Sequence, residues 1–329
     1  SGALGGGSNS AASNVAVGKD AGNAVTTGAN NTLIGSLAGD ALTTGIANVA
    51  IGYSALSAED AHGLNVAVGA NALGNLNAGA NAYNVAVGHD AGTNVTTAIR
   101  NTLIGGLVGD ALTEGARNTA VGYAVLSGDT LGSRNVGIGY EVLGSQNFTT
   151  ATDSYNTAVG YAAGNAVTTG VQNTIIGALA GDALTDSGPV VAVGYEALST
   201  EDRDGGGTTA IGYQALKTQN AGATAYNTAV GWNAGLSVTT GIQNTLFGAL
   251  AGDALTDADH NVAIGMEALT TDTLGSRSTA IGYNALAAQN FTTATNADNV
   301  AVGYLAGYAV TTGIRNTLIG TNAGDALTV

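Results

Sequence analysis

The stretch Asn31 to Thr43, NTLIGSLAGDALT, returns as NTLIGGLVGDALT from Asn101, NTIIGALAGDALT from Asn173, NTLFGALAGDALT from Asn244 and NTLIGTNAGDALT from Asn316. Successive copies are 70, 72, 71 and 72 residues apart. A shorter unit lies beneath this one. An N-[VT]-A-[VI]-G pattern recurs in 18 copies from Asn14 to Asn316, most of them 17 residues after the last. Counting each copy from that first residue, position 2 is Val or Thr, position 4 is Val or Ile except at Phe247, position 5 is always Gly and position 8 is Ala or Val. Strand side chains alternate, so positions 2 and 4 share one face, and Val, Ile and Thr are strand formers. The pattern predicts a short β-strand with the β-branched pair facing inward and position 3 facing outward. The Gly that follows suits a tight corner. A 17-residue unit of short strand and Gly corner is one coil of an all-β, parallel β-solenoid of about 18 coils.

Position 9 carries a second rhythm, running Gly, Gly, Leu, Leu from Gly22 to Gly324. Four coil types therefore make one block, and the fourth coil of each block is the long one, with 19, 21, 19 and 21 residues. The blocks cover 14–83, 84–155, 156–226 and 227–298, with a partial block at 299–329, in one solenoid domain preceded by a flexible lead-in at 1–13. The loop QNFTTAT occurs twice, at Gln146 and Gln289. Asn opens 15 of the 18 coils, which predicts a corner ladder with each amide donating to the next.

Composition narrows the function. The formal charge is −15, which opposes the phosphate neutralisation that nucleic-acid binding needs. No apolar run is long enough to cross a membrane, so no membrane insertion is expected of this chain. With no Cys there is no thiolate nucleophile or thiolate metal site. His62, His89 and His260 fall at unrelated coil positions and form no H-E-x-x-H spacing. No catalytic, cofactor or metal site is expected, and the chain is read as not an enzyme.

The run N-T-A-V-G-Y-x-A-L, clearest at Asn118 to Leu126, Thr208 to Leu216 and Ser278 to Leu286, resembles the head repeats of trimeric autotransporter (YadA-like) adhesins. It is also similar to the shaft repeats of phage tail fibres. The resemblance runs from about Asn14 to the end. It implies a left-handed parallel β-roll, three chains side by side, with Val17, Ile34, Ile51 and their equivalents filling each roll. The longer coil and the four-coil superperiod depart from the adhesin heads.

Several residues stand out as candidates. The Asp of GDALT (Asp40, Asp110, Asp182, Asp253, Asp325) recurs every fourth coil, about 19 Å apart along a stack, too far for two of them to share a metal or act as an acid–base pair. It is read as an Asp turn bonding its own backbone. Leu33, Leu103, Ile175, Leu246 and Leu318 occupy the outward-parity position 3 and are candidate inter-chain contacts. Phe148, Thr149, Phe291 and Thr292 lie in the emerging loops, where the Phe either folds back as a lid or presents an apolar contact. Tyr at position 6 in eight coils, with Trp232 in another, either seals a chain contact or offers an aromatic ladder to a glycan.

The expected function is the structural shaft of an extracellular adhesive fibre, on a virion or cell surface, projecting a receptor-binding element. The expected partners are further copies of the chain, as a trimer, and a cell-surface receptor or glycan. Two other readings stay open. An ice- or surface-binding solenoid would order water on a Thr array, to which the recurring VTTG contributes. A self-assembling filament or surface-layer subunit would use the unpaired coil ends.

Overall fold

The computed structural model describes residues 13–202 and 206–329. All but Ser13 of the lead-in read at 1–13 lies outside the described residues. The protein is all β, with no helix among the described residues. It divides into two compact units, Ser1–Ala162 and Ala163–Val329.

The first unit carries nine coil strands, from Val15–Val17 to Thr157–Tyr161, each paired in parallel with the next in strict register. Val15 pairs with Thr32, Ala16 with Leu33 and Val17 with Ile34. The second unit repeats the arrangement with nine strands, from Thr174–Ile176 to Thr317–Ile319. Together they make 18 coils roughly 17 residues apart, the β-solenoid that the sequence period predicts. Backbone groups are satisfied between coils: Thr32 N–H donates to Asn48 C=O at 2.9 Å, and Gly35 N–H to Val17 C=O at 2.8 Å.

The strand parity is the reverse of the sequence reading. Position 3 points inward: Leu33, Ala50, Ala67, Leu103, Ile175 and Leu246 are fully buried. Positions 2 and 4 point outward, with Val17 58% exposed, Ile34 exposed and Ile51 half-buried. Leu33, Leu103, Ile175 and Leu246 are therefore core residues and cannot serve as inter-chain contacts. Leu318 has the same inward parity and is half-buried in the last coil.

Core volume explains both the inversion and the Gly-Gly-Leu-Leu rhythm. The interior of a coil is filled from positions 3, 8, 9 and 12, and position 9 has positive φ in every coil, Gly or Leu. Where position 9 is Leu, as at Leu56 and Leu73, position 3 is Ala and both are buried. Where two successive coils have Gly there, the position-3 residue of the second, Leu or Ile175, takes the space of both. A Cβ on Gly92 would lie 2.7 Å from Leu103 Cδ1, and one on Gly109 would lie 3.0 Å from Leu103 Cδ2. One Leu thus spans two glycines of consecutive coils. A Leu at positive φ costs about 1–2 kcal/mol, a penalty that full burial of its side chain can offset. Gly137 compensates in the same way for Val125, whose Cγ1 would sit 2.5 Å from an added Cβ.

The position-5 glycines have no alternative. Their φ lies between +125° and +144°, and a Cβ on Gly122 would stand 1.6 Å from the carbonyl oxygen of Gly139 in the next coil. Only Gly permits coil-to-coil approach at that corner.

The Asn ladder exists, but its bonds run mainly to backbone. Asn31 Oδ1 accepts from Asn48 N–H at 2.9 Å, while its Nδ2 donates to Gly45 C=O of its own coil at 2.8 Å. Asn84, Asn101, Asn118, Asn244 and Asn261 repeat the donation to their own corner, at 2.7 to 2.9 Å. Direct amide-to-amide donation occurs between Asn65 and Asn48 at 3.3 Å.

A buried polar string interrupts the core once per block, and the sequence reading missed it. Position 12, apolar in most coils, carries an acid in each third coil: Glu59, Asp129, Glu201 and Asp272, all fully buried. In three blocks the next coil answers with Gln. Gln146 donates to Asp129 at 2.5 Å, Gln219 to Glu201 at 3.0 Å and Gln289 to Asp272 at 2.5 Å. Each Gln then accepts from Asn156, Asn227 or Asn299 at 2.8 Å. Burial raises the pKa of Asp129, against the lowering effect of its Gln146 and backbone bonds. The readable signal was the acid–Gln pair at one coil position, in register with the long coils.

The long loops fold back over this string. Phe148 and Phe291 are 5% and 6% exposed, and Phe291 N–H donates to Asp272 at 3.0 Å. They are lids rather than presented contacts, while the neighbouring Thr149 and Thr292 are exposed. In the 21-residue coils the loop adds a two-residue parallel pairing, Thr152–Asp153 with Gly132–Ser133 and Thr295–Asn296 with Gly275–Ser276.

Candidate functional site: the exposed strand face

With position 3 inward, positions 2, 4 and 6 of the coils form an outward face in each unit. It combines Val or Thr, Val or Ile, and often Tyr, and within it only Lys19 and His89 can carry charge. On a chain with a formal charge of −15 this segregation is pronounced; charge depletion with aromatic enrichment is the composition of interface cores. The acids sit at its rim, at position 7: Asp20, Asp90, Glu141, Glu196 and Glu267.

The aromatic side chains stack on one another along the coils. In the first unit Tyr123, Tyr140 and Tyr161 form a stack with centroids 5.3 and 5.5 Å apart. In the second unit Tyr195 stacks on Tyr213 at 5.5 Å, Tyr213 on Trp232 at 6.2 Å and Tyr283 on Tyr304 at 5.4 Å. The ring planes are within 11–17° of parallel. The spacing follows from the coil rise of about 4.8 Å, which sets identical positions one ring-stack apart. Inner rings spend their faces on each other and show solvent their edges and hydroxyls. A saccharide that stacks on aromatic faces finds them only at the ends of such a stack. The hydroxyls are tied in places to the acid rim: Tyr140 has its pKa raised first by a hydrogen bond to Glu141, and Tyr195 by one to Glu196.

The GDALT Asp lies in a turn. Desolvation raises the pKa of Asp40, against the lowering effect of the backbone N–H groups of Asp40 and Ala41, with smaller repulsion from Asp20. Asp110 repeats this beside Asp90, and Asp182 is raised by burial and by Glu196. One carboxylate oxygen of each of these three is buried without a hydrogen-bond partner. In Asp253 the same position is answered by Thr270, whose hydroxyl donates at 2.6 Å.

Among the described residues one group of three metal-capable side chains is close together, Glu59, Asp60 and His62, with ligand atoms within 4.8 Å of one another. Glu59 already accepts from the backbone N–H groups of His62 at 3.0 Å and Ala78 at 3.3 Å, so it serves as a corner acceptor like Asp129. His89 pairs with Asp90 at 2.9 Å on the exposed side. His260 lies at a coil corner with φ +61°.

Thr residues at position 13 also stack. Thr43, Thr113, Thr256 and Thr311 each donate a hydroxyl proton to a backbone carbonyl of the next coil, at 2.7 to 3.1 Å. Their donors are therefore spent within the chain.

No helix among the described residues is long and apolar enough to cross a membrane. No family model, curated protein or solved structure matches the chain.

Proposed function

We propose that the chain is the structural shaft of an extracellular adhesive fibre, of the kind found in phage tail fibres and bacterial surface adhesins, which holds a receptor-binding element away from its parent particle or cell. The observation that carries this reading is the unbroken in-register parallel pairing through all nine strands of each unit. Backbone bonds, the Asn corners and the interlocked Leu–Gly core all tie one coil to the next. The residues are spent on stacking, and none of the candidate acids and histidines is set out as a catalytic constellation. Immunogold electron microscopy with antibodies to the purified chain tests the proposal. Label along extended surface filaments supports it, and label confined to the cell interior would sink it.

The charge-poor strand face favours a second feature of the same reading: copies of the chain assemble, as a trimer, through positions 2, 4 and 6 rather than through position 3. A face that repeats with the coil period is matched along its length by another copy with that period. For the water-ordering alternative, thermal hysteresis is the direct measurement.

A further inference from the structure

The third and fourth blocks both carry Glu at position 7 of their third coil, where the first two have Ser54 and Ala124, but they surround it differently. In the third block Glu196 at position 7 is held by two side chains of the following coil: Gln214 Nε2 at 2.7 Å and Lys217 Nζ at 2.5 Å. The Lys217 bond is also the first cause that lowers the pKa of Glu196. The corresponding residues of the fourth block are Glu267, Asn284 and Ala287. The acid is kept, the amide is one carbon shorter, and the ammonium is gone.

What remains is a groove of about 500 Å³ lined by Glu267, Asn284, Ala287, Tyr308, Thr271 and Thr311, within the size range of small-molecule sites. No cation and no hydrogen-bond donor among the described residues reaches the Glu267 carboxylate. Asn284, only 9% exposed, lines the groove. Across the groove stands Tyr308, 47% exposed. It is the only aromatic at position 10 in the 18 coils; the same coil type has Asn23, Thr93, Asn165 and Leu236 there. Unlike the ladder tyrosines, its ring stacks on no other ring among the described residues.

We infer that this groove binds a primary alkylammonium group, supplied from outside the chain, in the place that Lys217 fills in the block before. The ammonium pairs with Glu267 in a charge-assisted bond, the Asn284 carbonyl oxygen accepts a second N–H, and the Tyr308 ring covers the aliphatic stem and the cation. The chain's net negative charge draws such a ligand to its surface. The chemistry is shared by a lysine side chain of a partner protein and by a free amine. The inference goes beyond the shaft reading and does not depend on it.

The test is titration of the full chain, by calorimetry and by NMR, at low ionic strength with three probes: butylamine, a lysine-containing peptide with blocked termini, and glucose as a neutral polyol. The amine probes are expected to bind and glucose not to. Binding by the peptide alone assigns a lysine side chain as the source, and equal binding by butylamine assigns a free amine. Glu267→Gln is expected to weaken amine binding at least tenfold. The pair Asn284→Gln with Ala287→Lys rebuilds the third block's own arrangement and is expected to abolish binding. Tyr308→Asn, which restores the residue of earlier coils, weakens it several-fold. These last variants copy side chains the fold already carries, so unchanged circular dichroism separates loss of the site from loss of folding. Amine binding indifferent to Glu267→Gln and to the groove-filling pair, or glucose binding in preference to amine, overturns the inference, as does failure of both amines to bind.

Discussion

Asn101 Oδ1 accepts a hydrogen bond from the backbone N–H of Asn118, one coil away, at 2.8 Å, while Asn101 Nδ2 donates to the carbonyl of Gly115 in its own coil at 2.9 Å. One buried amide therefore satisfies two backbone groups that water cannot reach. Asn101→Ala leaves both unpaired. At about 1–3 kcal/mol for each buried unsatisfied group, the variant should lose roughly 2–6 kcal/mol. Urea denaturation followed by circular dichroism measures this, and a loss below about 0.5 kcal/mol would mean the ladder is decoration.

Leu103 and Gly109 should be energetically coupled. Leu103→Ala alone opens a core cavity and should cost about 2–5 kcal/mol. Gly109→Leu alone overfills the same space. The double variant reproduces the Ala-and-Leu arrangement of the next coil, where Leu126 already sits at φ +54°, and should recover most of the loss. A double-mutant cycle reads the coupling; simple additivity of the two losses would refute the volume argument.

Acid should stabilise this protein across a range where many proteins weaken. Burial raises the folded-state pKa of Asp40, Asp110, Asp129, Asp182 and Asp253 above the ordinary 3.8. Their folded state favours the proton, so the stabilisation from protonating them is complete below the unfolded value and is lost as pH rises through the raised folded values. Glu196, lowered by Lys217, works the other way, contributing above its unfolded value and losing it as pH falls. Five groups against one should raise the thermal midpoint as pH falls from 7 toward 4. The triple variant Asp40→Asn, Asp110→Asn, Asp182→Asn should show a flatter profile over that range. A midpoint that falls on acidification, with the same slope in the triple variant, contradicts the assignment.

If copies of the chain assemble through the outward strand face, charges placed there should separate them. Ile104→Asp and Ile138→Asp introduce acids at exposed position 4 without touching the core. Mass photometry should show the parent as an oligomer and the double variant shifted to monomer, with unchanged circular dichroism. Leu103→Ala should leave the oligomer size unaltered. A parent that is monomeric at every concentration removes the trimer from the proposal.

Much of the architecture could be read from the chain alone. The 17-residue spacing, the Gly after every strand and the Asn before it suffice for a parallel solenoid, because a backbone that must pair with itself one coil away leaves a mark at that interval. The Phe148 and Phe291 loops were visible as insertions, and the GDALT Asp was legible as a turn residue from its type and place. The direction in which each strand faces was not legible. Alternation says that Val15 and Val17 share a side; it does not say which side holds the core. β-branched residues favour strands whether buried or exposed, and Ala at position 3 reads as easily on a surface as in a narrow interior. Only the tertiary structure, by bringing positions 8, 9 and 12 across from the strand, shows an interior so thin that Ala, or one Leu over two glycines, fills it. That same packing turned Leu33 from a surface contact into a core residue, placed Val and Tyr outside, and put Glu267, Asn284 and Tyr308, which lie 17 and 24 residues apart in sequence, around one groove.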